Sequence, residues 1–206
     1  MITKEQFQHF WKDNYGNLPP VGYVLRARLL AERWFRIHSL PNSKRYADSD
    51  KEMRIILNRQ NALISDLIGD KHNYILMLAF FSNSANPDLT SIFKTPNLIL
   101  LDSIRLNSVM PDFFDEELYL FTGLLNRVWE TGSIDDYLKH AADNGRFIAF
   151  NCNACDLCVI LLVDIENNRI IAPYDGGVDI FLRTQSERDN FKAKYKDWLS
   201  PIESGL

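Results

Sequence analysis

Residues 158–182 read CVILLVDIENNRIIAPYDGGVDIFL, three apolar runs separated by two short polar turns. Asparagine accepts the left-handed backbone conformation in the first turn, and Asp-Gly-Gly is a usual hairpin composition in the second. The spacing predicts three consecutive strands, Cys158–Ile165, Arg169–Tyr174 and Val178–Leu182, joined as an antiparallel meander.

The rest of the chain supplies helices and further strands without a regular β-α alternation. Capping and apolar periodicity predict helices that begin near Thr3 and at Ser49, Ser133 and Ser186, and a short helix after Val21. Further strands are predicted at Trp34–His38, Tyr74–Phe81, Leu98–Leu101, Leu118–Leu125 and Phe147–Asn151. We therefore expect an α+β fold, a mainly antiparallel sheet packed by helices, in which the meander precedes a terminal helix, Ser186–Trp198.

The chain length and composition favour one domain over residues 1–206. The 206 residues are 46% hydrophobic and 12% aromatic, which suffices to fill a core. Residues 1–20 form an N-terminal helix and a rigid Pro19-Pro20 connector in this interpretation.

Charge and targeting signals exclude several classes of protein. The net charge is −4, with Lys and Arg dispersed along the chain, which argues against a dedicated nucleic-acid binder. The N-terminus lacks a signal-peptide pattern, and the longest apolar runs are too short to span a bilayer. Three closely spaced cysteines, an odd number, favour reduced thiols. We expect a cytoplasmic protein that needs no cofactor and does not enter membranes.

The cysteines Cys152, Cys155 and Cys158 follow a C-x-x-C-x-x-C spacing. Thiolates at this spacing occur in zinc and iron–sulfur sites. A closed zinc site needs a fourth ligand, however, and the chain has no fourth cysteine. We favour a cysteine-containing turn, with the metal site as the weaker alternative.

The most basic stretch, Arg33–Tyr46, interleaves cations with aromatic residues. Arg36, His38, Lys44 and Arg45 are candidate ligands for a phosphate or carboxylate. The alternative is a strand whose arginines lie on the solvent side and pair with the acids around Asp48–Glu52, and we favour this alternative.

Tyr174, Asp175 and Asp179 surround the Gly176-Gly177 turn. Two carboxylates four residues apart are candidates for binding a cation or the basic group of a ligand. Asp before Gly-Gly is equally an ordinary hairpin composition, and on residues alone the structural interpretation is favoured. No phosphate-binding loop or nucleophile elbow accompanies them.

Four segments of the chain form a recognisable pattern, namely Arg36–Tyr46, Trp129–Asp135, Pro173–Ile180 and Lys194–Leu206. Together they resemble a family of small bacterial proteins described as domain of unknown function 3885. Many members of that family carry Tyr-Asp-Asp-Arg-Gly-x-Asp, whereas this chain is one residue shorter there and has no arginine. The resemblance implies a compact bacterial cytoplasmic α+β domain and brings no activity or catalytic residues.

Two functional hypotheses follow. The first is a non-enzymatic protein-binding module, an immunity or antitoxin-type protein being one such class, whose acidic aromatic surface meets a basic toxin or other protein partner. The alternative is an enzyme or binder of a small anionic ligand that uses the Arg33–Arg45 segment with Asp175 or Asp179 as base or metal ligand. Convergence of these groups in one pocket discriminates the two.

Overall fold

A computed structural model of the chain describes residues 1–28, 32–89, 93, 95–143 and 158–200. Within these residues, six helices and one antiparallel eight-stranded sheet confirm the predicted α+β fold. The helices are α1 (Lys4–Tyr15), α2 (Gly22–Arg28), α3 (Asp50–Ile68), α4 (Leu106–Val109), α5 (Asp135–Ala142) and α6 (Gln185–Lys194). The strands are β1 (Trp34–His38), β2 (Asn73–Ser82), β3 (Ile99–Leu100), β4 (Ile104–Arg105), β5 (Tyr119–Val128), β6 (Cys158–Asp164), β7 (Arg169–Tyr174) and β8 (Gly177–Phe181).

The strands follow the order β1-β8-β7-β6-β2-β5-β3, and β4 also pairs with β5. The predicted meander is confirmed, since β6, β7 and β8 are consecutive antiparallel neighbours. Asn168 has the left-handed conformation expected in the first turn, with φ 52°. The early strand β1 lies beside the late strand β8, and this pairing brings the two predicted polar segments together.

Helices cover both faces of the sheet. On one face, α3 and α5 pack against residues such as Leu76 of β2 and Ile180 of β8. On the other face, α1 and α2 pack against residues such as Ile75 of β2 and Phe181 of β8. Because successive strand residues point to opposite faces, a strand covered on both sides must be apolar throughout. Strand β2 is covered on both faces, and this explains its unbroken apolar run.

Helix α3 has the boundaries that its sequence predicts. Ser49 caps its first turn, accepting a hydrogen bond from the backbone N–H of Glu52 at 3.3 Å. Gly69 ends it with φ 90°, a conformation that favours glycine. The helix presents Arg59 and Gln60 toward the end of β1.

Two helix starts differ from the predicted ones. Helix α6 is capped by Thr184, two residues before the predicted Ser186, and gives way at Lys194 to a 3-10 turn over Lys196–Trp198. Helix α5 begins after Ile134 without a side-chain cap. The predicted strand Phe147–Asn151 lies outside the described residues, as do Cys152 and Cys155.

Candidate functional site

The candidate site is the tip of the β7–β8 hairpin together with the adjoining strand β1. Asp175 and Gly176 form the turn, and Tyr174 pairs with Gly177. Neither turn residue has positive φ, so glycine is not required there for backbone conformation. Glycine is required at position 177 by space, because a Cβ there would lie 2.0 Å from the backbone oxygen of Ile37. Gly177 therefore allows β1 to approach β8 closely.

Arg36 and Asp179 face each other across β1 and β8 and form a bidentate ion pair. Arg36 donates from Nε to Oδ1 at 2.8 Å and from Nη2 to Oδ2 at 2.9 Å. Trp34 Nε1 donates a third hydrogen bond to Oδ1 at 2.9 Å. The side chains are 12% and 6% exposed, so the pair is largely removed from water. Burial disfavours the Arg36 cation, but the hydrogen bonds and charge of Asp179 outweigh burial and raise the pKa of Arg36.

Tyr174 lies under the Arg36 guanidinium, whose Cζ is 4.4 Å from the ring centroid. Burial raises the pKa of Tyr174 to about 12, and the charge of Arg36 opposes this effect. The phenol is therefore protonated at neutral pH. The ring contributes a cation–π contact to the ion pair.

Asp175 joins the hairpin tip to the loop that follows β1. Its carboxylate accepts a hydrogen bond from Tyr46 Oη at 2.8 Å and pairs with Arg45 Nη2 at 2.7 Å. The Asp175 side chain is 8% exposed, whereas Arg45 is 63% exposed. Ser39 N–H also donates to the Gly176 carbonyl at 3.2 Å. The turn and the loop thus hold each other in place.

Lys44 and Arg33, two further cations of the Arg33–Tyr46 segment, have other partners. Lys44 pairs with Asp48 and Glu52 at 2.7 Å each. The favoured interpretation, in which the arginines of the strand face solvent and pair with these acids, is wrong for Arg36, which is 12% exposed and pairs with Asp179. Arg33 donates to the backbone carbonyl of Leu182. His38 lies opposite Gly177, and burial, followed by the charges of Arg36 and Arg59, lowers its pKa.

The predicted groups therefore converge in part. Five of them meet at the hairpin and β1, namely Arg36, Arg45, Tyr174, Asp175 and Asp179. Lys44 is directed to the start of α3. Arg36, Lys44 and Arg45 are each paired with a carboxylate of the chain itself, so the convergence produces a network of internal pairs.

Sequence reasoning missed the residues that support this network from α3 and the C-terminal turn. Arg59 Nη1 donates to the backbone carbonyl of His38 at 3.0 Å, and its Cζ lies 5.1 Å from the Trp198 ring centroid. Trp198 in turn packs on Tyr195, with ring centroids 4.9 Å apart. The only sequence signal was that Trp198 belongs to one of the four resembling segments.

The cysteine cluster lies mostly outside the described residues. Cys158 begins β6 and pairs with Phe80 of β2. Among the residues that the structure describes, no group of three or more His, Cys, Asp and Glu side chains is arranged to hold a metal ion.

A second surface carries exposed aromatic side chains and acids, and we call it the aromatic–acidic surface. Tyr23 of α2 lies 6.4 Å from Phe114, and Phe114 lies 6.5 Å from Phe113, measured between ring centroids. Tyr23, Val109 and Phe113 are all exposed. The segment from Asp112 to Glu117 adds four carboxylates, those of Asp112, Asp115, Glu116 and Glu117.

A cleft of about 650 Å³ lies at the opposite end of the sheet from the hairpin tip. The ends of β2, β5 and β6 line it together with the N-terminal residues. The Asn126 amide accepts from the Ile2 N–H at 2.7 Å and donates to the Ile2 carbonyl at 3.1 Å. The polar atoms of the Asn126 side chain are thus engaged in holding the N-terminal residue Ile2.

The family model described as Domain of unknown function (DUF3885) matches residues 22–203. The chain belongs to this family. The match begins at the first residue of α2, so α1 lies outside it. No curated protein and no solved structure matches the chain. Within the described residues, no helix is both long enough and apolar enough to cross a membrane.

The segments that pointed to DUF3885 have structural roles in this chain. Trp129 is fully buried and donates from Nε1 to Ser65 Oγ at 2.9 Å. Asn61 of α3 donates to Asp135 at 2.7 Å and accepts from the Gly132 N–H at 3.0 Å. Residues 129–135 are thereby fastened to α3, and residues of Arg36–Tyr46 and Pro173–Ile180 meet at the hairpin.

Proposed function

We propose that this DUF3885 chain is a non-enzymatic bacterial cytoplasmic protein that acts by binding another protein, as immunity proteins and antitoxins do. One contrast carries the proposal. Three of the residues predicted to bind a small anion, Arg36, Lys44 and Arg45, are paired with carboxylates of the chain, whereas aromatic side chains remain exposed among acids on the aromatic–acidic surface. Aromatic residues are enriched at protein interfaces and supply many of their energetic anchors.

The energetics of the buried ion pair disfavour a small anion as the ligand of Arg36. A ligand that took the guanidinium would separate it from Asp179 and leave that carboxylate buried without its cation. Removing one partner of a buried ion pair costs about 3–5 kcal/mol. A single ligand anion must first offset that cost, so the network is better suited to bracing the hairpin.

The acidic character of the chain favours a basic partner. The net charge is −4, and complementary charge accelerates encounter between proteins more than it raises affinity. A basic toxin is one partner of this kind. The comparison with immunity proteins rests on analogy of size, charge and fold class.

Affinity purification of the tagged chain from its native host tests the proposal. We expect recovery of one protein at an integer stoichiometry, and saturable binding when both proteins are purified and remixed. Recovery of no stoichiometric protein partner would count against a protein-binding role.

The small-anion alternative is retained because Arg36, Arg45, Tyr174, Asp175 and Asp179 do converge. A ligand that binds only the folded state raises the melting temperature. We expect no concentration-dependent rise with inorganic phosphate, nucleotides or phosphosugars. A rise that Arg45→Gln abolishes and Lys44→Gln preserves would favour the alternative, since Lys44 has its own partners on α3.

A further inference from the structure

The aromatic–acidic surface is held in a fixed shape by the core beneath it. Met110 is buried, and its carbonyl accepts hydrogen bonds from the N–H groups of Phe113 at 3.0 Å and Phe114 at 3.1 Å. The Met110 N–H donates to Leu106 at 2.8 Å, and Leu106 is also buried. An interface whose anchors are already ordered loses less conformational entropy on binding.

The surface already binds a guanidinium, because Arg28 of the same chain lies on it. The Arg28 Cζ is 5.2 Å from the ring centroid of Phe113, and Nη2 pairs with Asp112 at 3.0 Å. An aromatic face beside a carboxylate suits arginine, which stacks and forms ion pairs with the same planar group. The internal contact shows which side-chain chemistry this surface accepts.

Further carboxylates remain available to a partner. Asp112 is engaged by Arg28 and Glu117 by Arg105 at 3.1 Å. Asp115 and Glu116 have no ion-pair partner in the part of the chain that the structure describes, and both residues are exposed. The surface therefore combines exposed rings with two unneutralised acids.

We infer that the aromatic–acidic surface is the docking site for the partner, and that the partner presents a basic segment in which arginine side chains alternate with apolar ones. Arginines of that segment stack on Tyr23 and Phe114 and pair with Asp115 and Glu116. Its apolar side chains cover Val109 and Phe113. The inference rests on the proposed protein-binding function and assigns it a surface.

Nuclear magnetic resonance titration of the isotope-labelled full chain with a short capped peptide of alternating arginine and leucine tests the inference. We expect chemical-shift changes concentrated at Tyr23 and residues 109–117, and weaker binding as salt rises. Phe113→Ala combined with Tyr23→Ala lowers the affinity about tenfold, the usual loss when interface anchors are truncated. A peptide of alternating glutamate and leucine controls for apolar adsorption and gives no such changes.

The acids are tested by a matched pair of charge variants. Asp115→Asn with Glu116→Gln lowers peptide affinity, whereas Glu130→Gln with Asp136→Asn removes the same net charge elsewhere and does not. All variants are first shown to melt cooperatively at temperatures near that of the parent chain. Shift changes spread over the whole acidic surface, or equal effects of the two charge variants, overturn the inference.

Failure of this inference is distinguishable from failure of the proposed function. A purified protein partner whose affinity is unaffected by the Tyr23 and Phe113 substitutions overturns the surface assignment and leaves the binding role in place. Absence of any protein partner contradicts the binding role itself.

Discussion

Asp179 accepts hydrogen bonds from three side-chain donors on β1, two from Arg36 and one from Trp34. The carboxylate is nearly enclosed, so the free energy of its charge depends on these donors rather than on water. Asp175 at the turn is held in a similar way by Tyr46 and Arg45. Of the two acids that resembled a ligand site, Asp179 therefore holds β1 in position and Asp175 holds the loop that follows β1.

The Asp179→Asn substitution tests this role. A neutral amide cannot balance the buried Arg36 charge, so we expect the free energy of unfolding to fall by about 3 kcal/mol, measured by urea denaturation. Asp48→Asn is the control because Asp48 is 81% exposed, and an exposed ion pair such as the one it forms with Lys44 contributes little to stability. Equal losses in the two variants would contradict a bracing role for Asp179.

The burial of His140 leads us to predict how the free energy of unfolding depends on pH. Burial lowers the pKa of His140 to about 4, and the charge of Asp143 opposes this effect. An unfolded histidine titrates near 6.5, so the unfolded chain takes up a proton at higher pH than the folded chain. Stability is therefore lost as pH falls through this range, by about 2 kcal/mol between about pH 7.5 and about pH 5.

Urea denaturation across that pH range, repeated with His140→Gln and His9→Gln, checks the assignment. The His140 variant should show a flatter dependence, whereas the exposed His9 serves as a control with the parent slope. The lowered pKa of His38 acts in the same direction and leaves a residual slope. A parent-like slope in His140→Gln would rule His140 out as the cause.

The sequence identified Arg36, Asp175 and Asp179 as notable residues but not their partners. Arg36 and Asp179 are 143 positions apart, and their contact depends on the pairing of β1 with β8. Side-chain chemistry alone predicts that an arginine can bind a carboxylate, whether from the chain or from a ligand. The pairing of β1 with β8 decides that the carboxylate bound by Arg36 is that of Asp179 in the same chain.

Element boundaries were predictable where local signals were strong. β1 alternates along Trp34–His38 and α3 has a serine cap and a terminal glycine, so both were found within a residue. The start of α6 was misplaced because Thr184 and Ser186 are both competent caps two residues apart. The need for glycine at position 177 could not be predicted from the sequence, because the atom that a Cβ would meet, the backbone oxygen of Ile37, belongs to another strand.

Substitution of Gly177 by Ala tests the close approach of β1 to β8. The added Cβ would lie 2.0 Å from the Ile37 oxygen, so the strands must separate locally. We expect a loss of about 3 kcal/mol in unfolding free energy and faster hydrogen exchange of the β1 amides. In Gly176→Ala the Cβ meets only the movable Tyr174 ring, at 2.9 Å, and the loss should be smaller. A larger loss at 176 than at 177 would contradict this explanation.

For the whole molecule, apolar periodicity predicted the α+β class and the late meander, while the strand order came only from the structure. Both faces of the antiparallel sheet are covered by helices. The hairpin network and the aromatic–acidic surface are two polar features of the described residues that could bear on function. Of these two, the hairpin network satisfies its own charges. The surface around Phe113 carries two exposed acids, Asp115 and Glu116, that have no ion-pair partner among the described residues.

The most direct test of the protein-binding account is the dissociation constant between the purified chain and the protein recovered with it from the native host, measured by isothermal titration calorimetry at low and high salt. The account predicts saturable binding at an integer stoichiometry that weakens as salt rises, as expected for a basic partner. Absence of a recoverable protein, or of saturable heat on remixing, would contradict it.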